Sequence, residues 1–225
     1  AHVFKSLYDQ GLIYQGERII NWDPVLKTAL SNIEVEHKDI PGKFYYFKYV
    51  MKDDPSVVLT IATTRPETMF GDTALVYNPK DKRYSKYDEK MFINPANGEE
   101  LPLIGDMYVD KSFGTGVMKC TPAHDPNDFA IAKRHNLAMP LIMNPDGTMN
   151  EKCGKYKGMD RFACRDALVE QIEKDGNLVK IENITHNVGH SSRTGAIVEP
   201  YLCKQWFVKM KPLSQAVDKI QHSKD

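Results

Sequence analysis

The sequence has no cysteine pair in a C-x-x-C frame: Cys120, Cys153, Cys164 and Cys203 are scattered along it. Such thiols offer neither the spacing of an ordinary zinc site nor a disulfide framework, and they fit a reducing, cytoplasmic setting. Neither charge is in excess, with 30 basic residues against 30 acidic ones. A nucleic-acid partner must then be held by a local patch or by another part of a larger protein. No apolar run approaches the roughly 18 residues of a membrane span, so no membrane partner is expected. The opening AHVFKSLYDQGLIY lacks the regions of a signal peptide and an initiator Met. With its abrupt ends, the chain reads as a segment of a longer one. The dinucleotide fingerprint and the phosphate-binding loop are both missing, and no cofactor is expected.

What is present is ordinary globular material: 225 residues, 41% apolar and 27% charged, enough to bury a core without metal or disulfides. Val3, Phe4, Leu7 and Tyr8 at helical spacing predict a helix over 3–10, stopped by Gly11. Residues 12–40 read as short extended pieces and turns. Strands are predicted at 44–50, 57–64, 73–77, 101–109 and 116–120, where β-branched and aromatic residues are bounded by Pro, Gly, Asn or Asp. Residues 78–100 read as polar and turn-prone. A helix is predicted from Asp125 to His135, with Asp at the N-cap and Pro126 at the first position. A second runs from Asp160 to Asp175, with Cys164, Leu168 and Ile172 on one face and Gly176 as its stop. Residues 183–209 read as extended, and a last helix opens at Pro212 with Leu213, Ala216, Val217 and Ile220 on one face. The pattern predicts an α+β, β-rich fold: a barrel-like core with peripheral helices, tied by ribbon connectors.

Four stretches are candidate sites. Asp125-Pro126-Asn127-Asp128 is a good helix start, yet two carboxylates beside His124 and Lys119 could also bind an amine and a hydroxyl together. Thr63, Thr64 and Arg65 end a strong strand at a proline. They read either as a polar turn or as a rim for carbonyl and phosphate oxygens. Phe113-Gly114-Thr115-Gly116 reads as a turn, or as a loop that lets backbone approach a ligand while Phe113 stacks on a base. His186 and His190 are four apart, but Gly189 argues against a helix and no third ligand is near, so no metal site is expected.

ATTRPETMFGDTA (62–74) and GTGVMKCTPAHDPNDFAIAKRHNL (114–137) resemble the two signature blocks of valyl-tRNA synthetase editing domains. NWDPVLKTALSNIEVEH (21–37) and RTGAIVEPYLCKQWFVKM (193–210) resemble the connectors into and out of that insertion. The resemblance spans about residues 3–215. It implies a connector helix and ribbon over 1–37, an editing core over 38–182, and a second ribbon with a helix over 183–225. It implies a hydrolase that removes threonine from mischarged tRNA(Val), with the tRNA acceptor end and the rest of the synthetase as partners. It places Asp128 on the substrate α-ammonium, and Lys119 and Asp125 on either side of the threonine hydroxyl. Thr63 and Arg65 fall at the ester and the terminal adenosine, with Thr64 and Thr115 on the rim. Phe113 lies against the adenine and His124 by the attacking water. The activation motifs are absent: Asn187-Val188-Gly189-His190 is a near-miss for HIGH, and Lys209-Met210-Lys211-Pro212 matches only the start of KMSKS. Many relatives carry zinc-binding cysteines in the connector frames; here those frames hold Asp23, Ser191, Ser192 and Thr194, which argues against zinc. Two rivals remain: an isoleucyl-type editing domain acting on valyl-tRNA(Ile), and a tRNA acceptor-end binding module without hydrolysis.

Overall fold

The computed structural model describes residues 2–210. The helix expected from Pro212 lies outside the described residues. The chain divides into two compact units, one of residues 1–18 and 202–225, the other Ile19–Tyr201. In the first, helix α1 (His2–Asp9) ends at Gly11, whose φ of +66° is the left-handed stop the sequence predicts. Phe4 and Tyr8 of α1 set their rings edge-on to Trp206.

The expected short pieces over 12–40 are longer in fact. Strand β1 (Ile13–Asp23) runs eleven residues and pairs with β2 (Thr28–Leu30) through a turn held by Asp23, whose carboxylate accepts the amides of Val25 and Leu26. Strand β3 (Val35–Met51) begins before residue 40 and continues for seventeen residues through Pro41 and Gly42. Those two residues read as breakers, but the strand has a partner to hold it. β9 (Leu178–Ser191) pairs with it antiparallel, from Val35 opposite Ser191 to Phe47 opposite Leu178.

The large sheet has the order β4-β3-β6-β7-β5-β8, with β9 attached to β3. Here β4 is Val58–Thr63, β5 Ala74–Tyr77, β6 Met91–Ile93, β7 Glu100–Gly105 and β8 Val117–Cys120. Only β5 and β7 pair in parallel. The two ends of this path, β4 and β8, come back against each other, so the sheet curls into a half-barrel. Its inner face follows the two-residue period of a half-buried strand: Tyr45, Phe47, Tyr49 and Met51 of β3 are buried, and Leu59 and Ile61 of β4 join them. The architecture is α+β and β-rich, as the sequence predicts.

Two strand boundaries differ from the expectation. β6 lies inside the turn-prone stretch; it is three residues long and owes its existence to partners on both sides, β3 and β7. The strand expected over 101–109 stops at Gly105, because Asp106 bends the chain by accepting the amide of Tyr108 and the Arg134 guanidinium, with the His135 ring also against it.

Two helices cover the sheet. α2 (Pro126–His135) has Asp125 as N-cap, accepting from the amides of Asn127 and Asp128, and seats Ile131 against Ala74, Val76 and Cys120. α3 (Arg161–Lys174), capped by Asp160, buries Cys164, Leu168 and Ile172 as the four-residue steps predict. It packs on a 3-10 turn over Pro66–Gly71. That turn, wholly buried, is where the sequence shows only a strand ending at proline.

Candidate functional site

A cavity of about 850 Å³ opens in the unit Ile19–Tyr201. Thr63, Thr64, Arg65, Phe113, Thr115, Lys119, His124, Asp125 and Asp128 all line it. They arrive from three places: the end of β4, the loop before β8, and the junction from β8 into α2. The half-barrel brings these together because its end strands β4 and β8 are neighbours.

Lys119 sits on β8 and is nearly buried. Its ammonium has three N–H groups and all three are engaged. It donates to Thr68 Oγ1 at 2.9 Å, to Asp72 Oδ1 at 3.0 Å and to the hydroxyl of Thr121. Its carboxylate partner is therefore Asp72, not Asp125. Asp72 is enclosed on every side. Burial pushes its carboxyl up, and the Lys119 charge with bonds from Thr121 and Tyr49 pulls it back. The sequence gives no local sign of this pairing, since the two residues are 47 positions apart. The available signal is the acid itself, two residues before the apolar run Ala74–Tyr77.

Asp128 lies on the other wall. One carboxylate oxygen, Oδ2, accepts the amide of Thr121 at 2.8 Å. The other, Oδ1, is buried and has no hydrogen-bond partner among the described residues. Desolvation first, then repulsion from Asp125, push this carboxyl up to about 7, against the pull of Lys119. A buried acceptor without a donor is costly, about 1–3 kcal/mol and more when charged. A ligand that supplies a cationic donor removes that cost. Asp125 keeps the dual use the sequence allows: Oδ1 accepts both cap amides, and the residue still borders the cavity. Cys120, between these walls, is buried and its thiol is pushed up by burial, in keeping with a packing role.

Arg65 is fixed from three sides. It donates to the backbone carbonyl of His124 at 3.0 Å, pairs with Glu199, and lies 3.6 Å from Glu67. Glu199 in turn takes Arg161 at 2.7 Å, and Glu67 takes Arg165 in a bidentate pair at 2.7 and 2.8 Å. Both acids are buried and neither stands out in the sequence. Burial pushes Glu199 up, with Arg65 and Arg161 opposing.

His124 is enclosed, and its Nε2 accepts the amide of Ile142. Burial, together with the charges of Arg65 and Lys119, lowers its pKa to about 3. It is a neutral ring in the cavity wall, with Nε2 taken by backbone. Thr63 is buried with its hydroxyl accepting the Arg65 amide, whereas Thr64 is half-buried. Thr115 turns its hydroxyl to the Val117 carbonyl, and its own carbonyl accepts from Tyr84. Phe113 is 73% exposed at the cavity mouth. The glycines flanking Thr115 have φ of +56° and +78°. At Gly116 a Cβ would also come within 2.3 Å of Arg83, so this loop needs glycine for both conformation and space.

His186 and His190 do not line the cavity and stand in β9; His190 bonds the Val188 carbonyl. Among the described residues no group of three His, Cys, Asp or Glu could hold a metal. In the connector frames the side chains bind one another: buried Asp23 accepts from the Thr194 hydroxyl at 2.8 Å, and Ser191 also pulls its carboxyl down.

Residues 1–224 match the family described as tRNA synthetases class I (I, L, M and V). The chain is 57% identical to the valine–tRNA ligase of Halalkalibacterium halodurans over 219 residues, covering 97% of this chain and 25% of that protein. It is 58% identical to the valine–tRNA ligases of Staphylococcus carnosus over 217 residues and of Lactobacillus acidophilus over 221, again 25% of each. The chain thus spans about a quarter of the length of these curated relatives. It belongs to the class I tRNA synthetase family.

Proposed function

We propose, from this family membership and the arrangement of the cavity, that the chain is the editing unit of a valyl-tRNA synthetase and hydrolyses threonyl-tRNA(Val). The observation that carries the reading is Asp128 Oδ1, a buried carboxylate oxygen with no partner on the cavity wall. An aminoacyl ester offers an α-ammonium to that oxygen, and the bond is charge-assisted. The acceptor end of tRNA(Val) and the remainder of the synthetase are the partners.

Threonine differs from valine by a hydroxyl in place of a methyl. An apolar pocket cannot strongly reject such an isostere, for which valine against threonine is the standing example; a second pocket that demands the hydroxyl can. Lys119 and Asp125 bracket that hydroxyl. To donate to it, Lys119 exchanges one of its three existing bonds, to Thr68 or Thr121. A threonine hydroxyl restores the lost bond. A valine methyl can neither take that bond nor donate to Asp125.

The reaction is addition of water to the ester carbonyl. The tetrahedral intermediate then expels the ribose oxygen, which takes up a proton, giving threonine and free tRNA. Thr63 and Arg65 hold the ester and the terminal adenosine, with Thr64 and Thr115 on the rim and Phe113 against the adenine. His124 stands in the wall as a neutral ring, beside the attacking water. The ester is already reactive, and placement of water and carbonyl supplies the catalysis.

Deacylation of threonyl-tRNA(Val) against valyl-tRNA(Val) tests the reading. Threonine is expected to be released much faster; equal rates would overturn it. Release of valine from tRNA(Ile) would instead support the isoleucyl-type rival, which has no use for a charged Lys119 wall. Binding of tRNA without turnover would support a binding module.

A further inference from the structure

One wall of the cavity takes no part in that reading. Phe44, Tyr46, Glu182 and Ile184 line it, from β3 and β9. They share one sheet face, because residues directly opposite in a ladder point the same way. Phe44 is opposite Glu182, Tyr46 is opposite Lys180 on one side and Ala62 on the other, and Gly42 is opposite Ile184. The alternate residues Tyr45 and Phe47 go to the core. Phe44 and Tyr46 are left half-buried on the cavity side.

This face is organised around one carboxylate. Glu182 Oε2 accepts from the Tyr46 hydroxyl at 2.8 Å and from Lys180 Nζ at 3.1 Å. Among the described residues no bond falls on Oε1. The Tyr46 and Lys180 bonds hold the carboxyl below its usual range, so it is an ionised acceptor at neutral pH. Lys180 also lies 4.3 Å above the Tyr46 ring, which fixes both side chains. The result is a positioned acceptor with one free oxygen beside an aromatic side chain, Phe44, that carries no cation.

An aromatic face stacks any base, and a carboxylate accepts from an exocyclic amine such as that of cytosine. Strands in a sheet are about 4.8 Å apart. Since Tyr45 is opposite Thr63, Phe44 lies one strand over from the Thr63–Arg65 rim. It is within reach of the nucleotide next to the one held there. We propose that this face is a subsite for the base preceding the terminal adenosine of the tRNA, stacked on Phe44 with its amine donated to Glu182. The inference rests on the editing reading above. The cytidine that precedes the terminal adenosine of every tRNA has the required amine.

Equilibrium binding with non-hydrolysable amide analogues tests it: threonylamino-adenosine, and the same group extended by one 5′ nucleotide, cytidine or uridine. The cytidine form is expected to bind about tenfold more tightly than the adenosine form, with uridine between, since it stacks but lacks the amine. Phe44→Leu, which keeps apolar bulk but removes the aromatic face, and Glu182→Gln are each expected to cut the cytidine advantage several-fold. Neither should change binding of the adenosine form. Absence of a cytidine advantage would overturn the proposal. Equal weakening of both forms by Phe44→Leu would also overturn it, by making Phe44 part of the adenosine site. Deacylation of threonyl-tRNA(Val), measured separately, reads the parent hypothesis: a cytidine advantage without hydrolysis strikes that reading and leaves the subsite standing.

Discussion

The two charged walls of the cavity are built in opposite ways. On one, Lys119 has every N–H engaged, and Asp72 accepts from Lys119, Thr121 and Tyr49. On the other, Asp128 keeps one oxygen without a donor and Asp125 adds a second negative charge beside it. The first wall is complete without ligand and contributes to the fold. The second is strained electrostatically and is relieved by a cation. Buried charge in proteins is normally paired, and on the proposed editing reading the unpaired oxygen takes the substrate's ammonium.

The largest expected effect breaks the complete wall. Lys119→Met leaves Asp72 buried without its counter-charge and should destabilise the chain by about 3–5 kcal/mol, read by denaturant unfolding. Adding Asp72→Asn should recover much of that loss. If the double variant is no more stable than the single one, the pair is not the unit described.

Next is the incomplete wall. Asp128→Ala should lower threonyl-tRNA(Val) hydrolysis on the order of a hundredfold to a thousandfold, the value of a charge-assisted anchor in a buried site. Near-normal rates in a folded variant would remove the ammonium role from Asp128.

A pH comparison sharpens the contrast further. The Asp128 carboxyl is raised in the folded chain to about 7, whereas in an unfolded chain it titrates near ~4. Stability from this group is fully present below that lower value and is lost as pH rises through about 7. Asp128→Asn should therefore be more stable than the parent at pH 8, by on the order of a few kcal/mol, and no more stable at pH 4. Hydrolysis has the opposite slope, because the ammonium needs the ionised carboxylate: kcat/KM of the parent should fall as pH drops below about 7. A melting temperature for the Asn variant that tracks the parent at both pH values would contradict the raised carboxyl.

The smallest effect tests neither wall. Phe113 is exposed, so Phe113→Ala should leave unfolding within about 0.5 kcal/mol of the parent. It should raise KM several-fold through lost stacking on the adenine. A change in kcat alone would argue against that contact.

Much of this is legible in the sequence. Asp125 and Pro126 announce α2 by local capping chemistry, and Cys164, Leu168 and Ile172 announce the buried face of α3 by periodicity. The nine candidate residues do border one cavity. What local pattern does not carry is pairing at long range. Capping gives Lys119 no partner, and Asp72 and Glu199 are found only once strand order brings distant segments together. The same holds for β6, three residues that are a strand only because β3 and β7 flank them, and for Pro41-Gly42, which would end a strand lacking the support of β9.

Strand β3 has a mechanical meaning beyond its pairing. At about 3.3 Å per residue, seventeen residues extend about 55 Å. Val35–Phe44 pairs with β9 alone as a ribbon, Tyr45–Phe47 is clamped between β4 and β9, and Lys48–Met51 pairs with β4 and β6. Its one glycine, Gly42, is held in the ladder opposite Ile184. β3 is thus one continuous strand that sets the register of Thr63 at Tyr45, between its ribbon and its C-terminal end. Wherever the ribbon is carried, the rim of the cavity is carried with it.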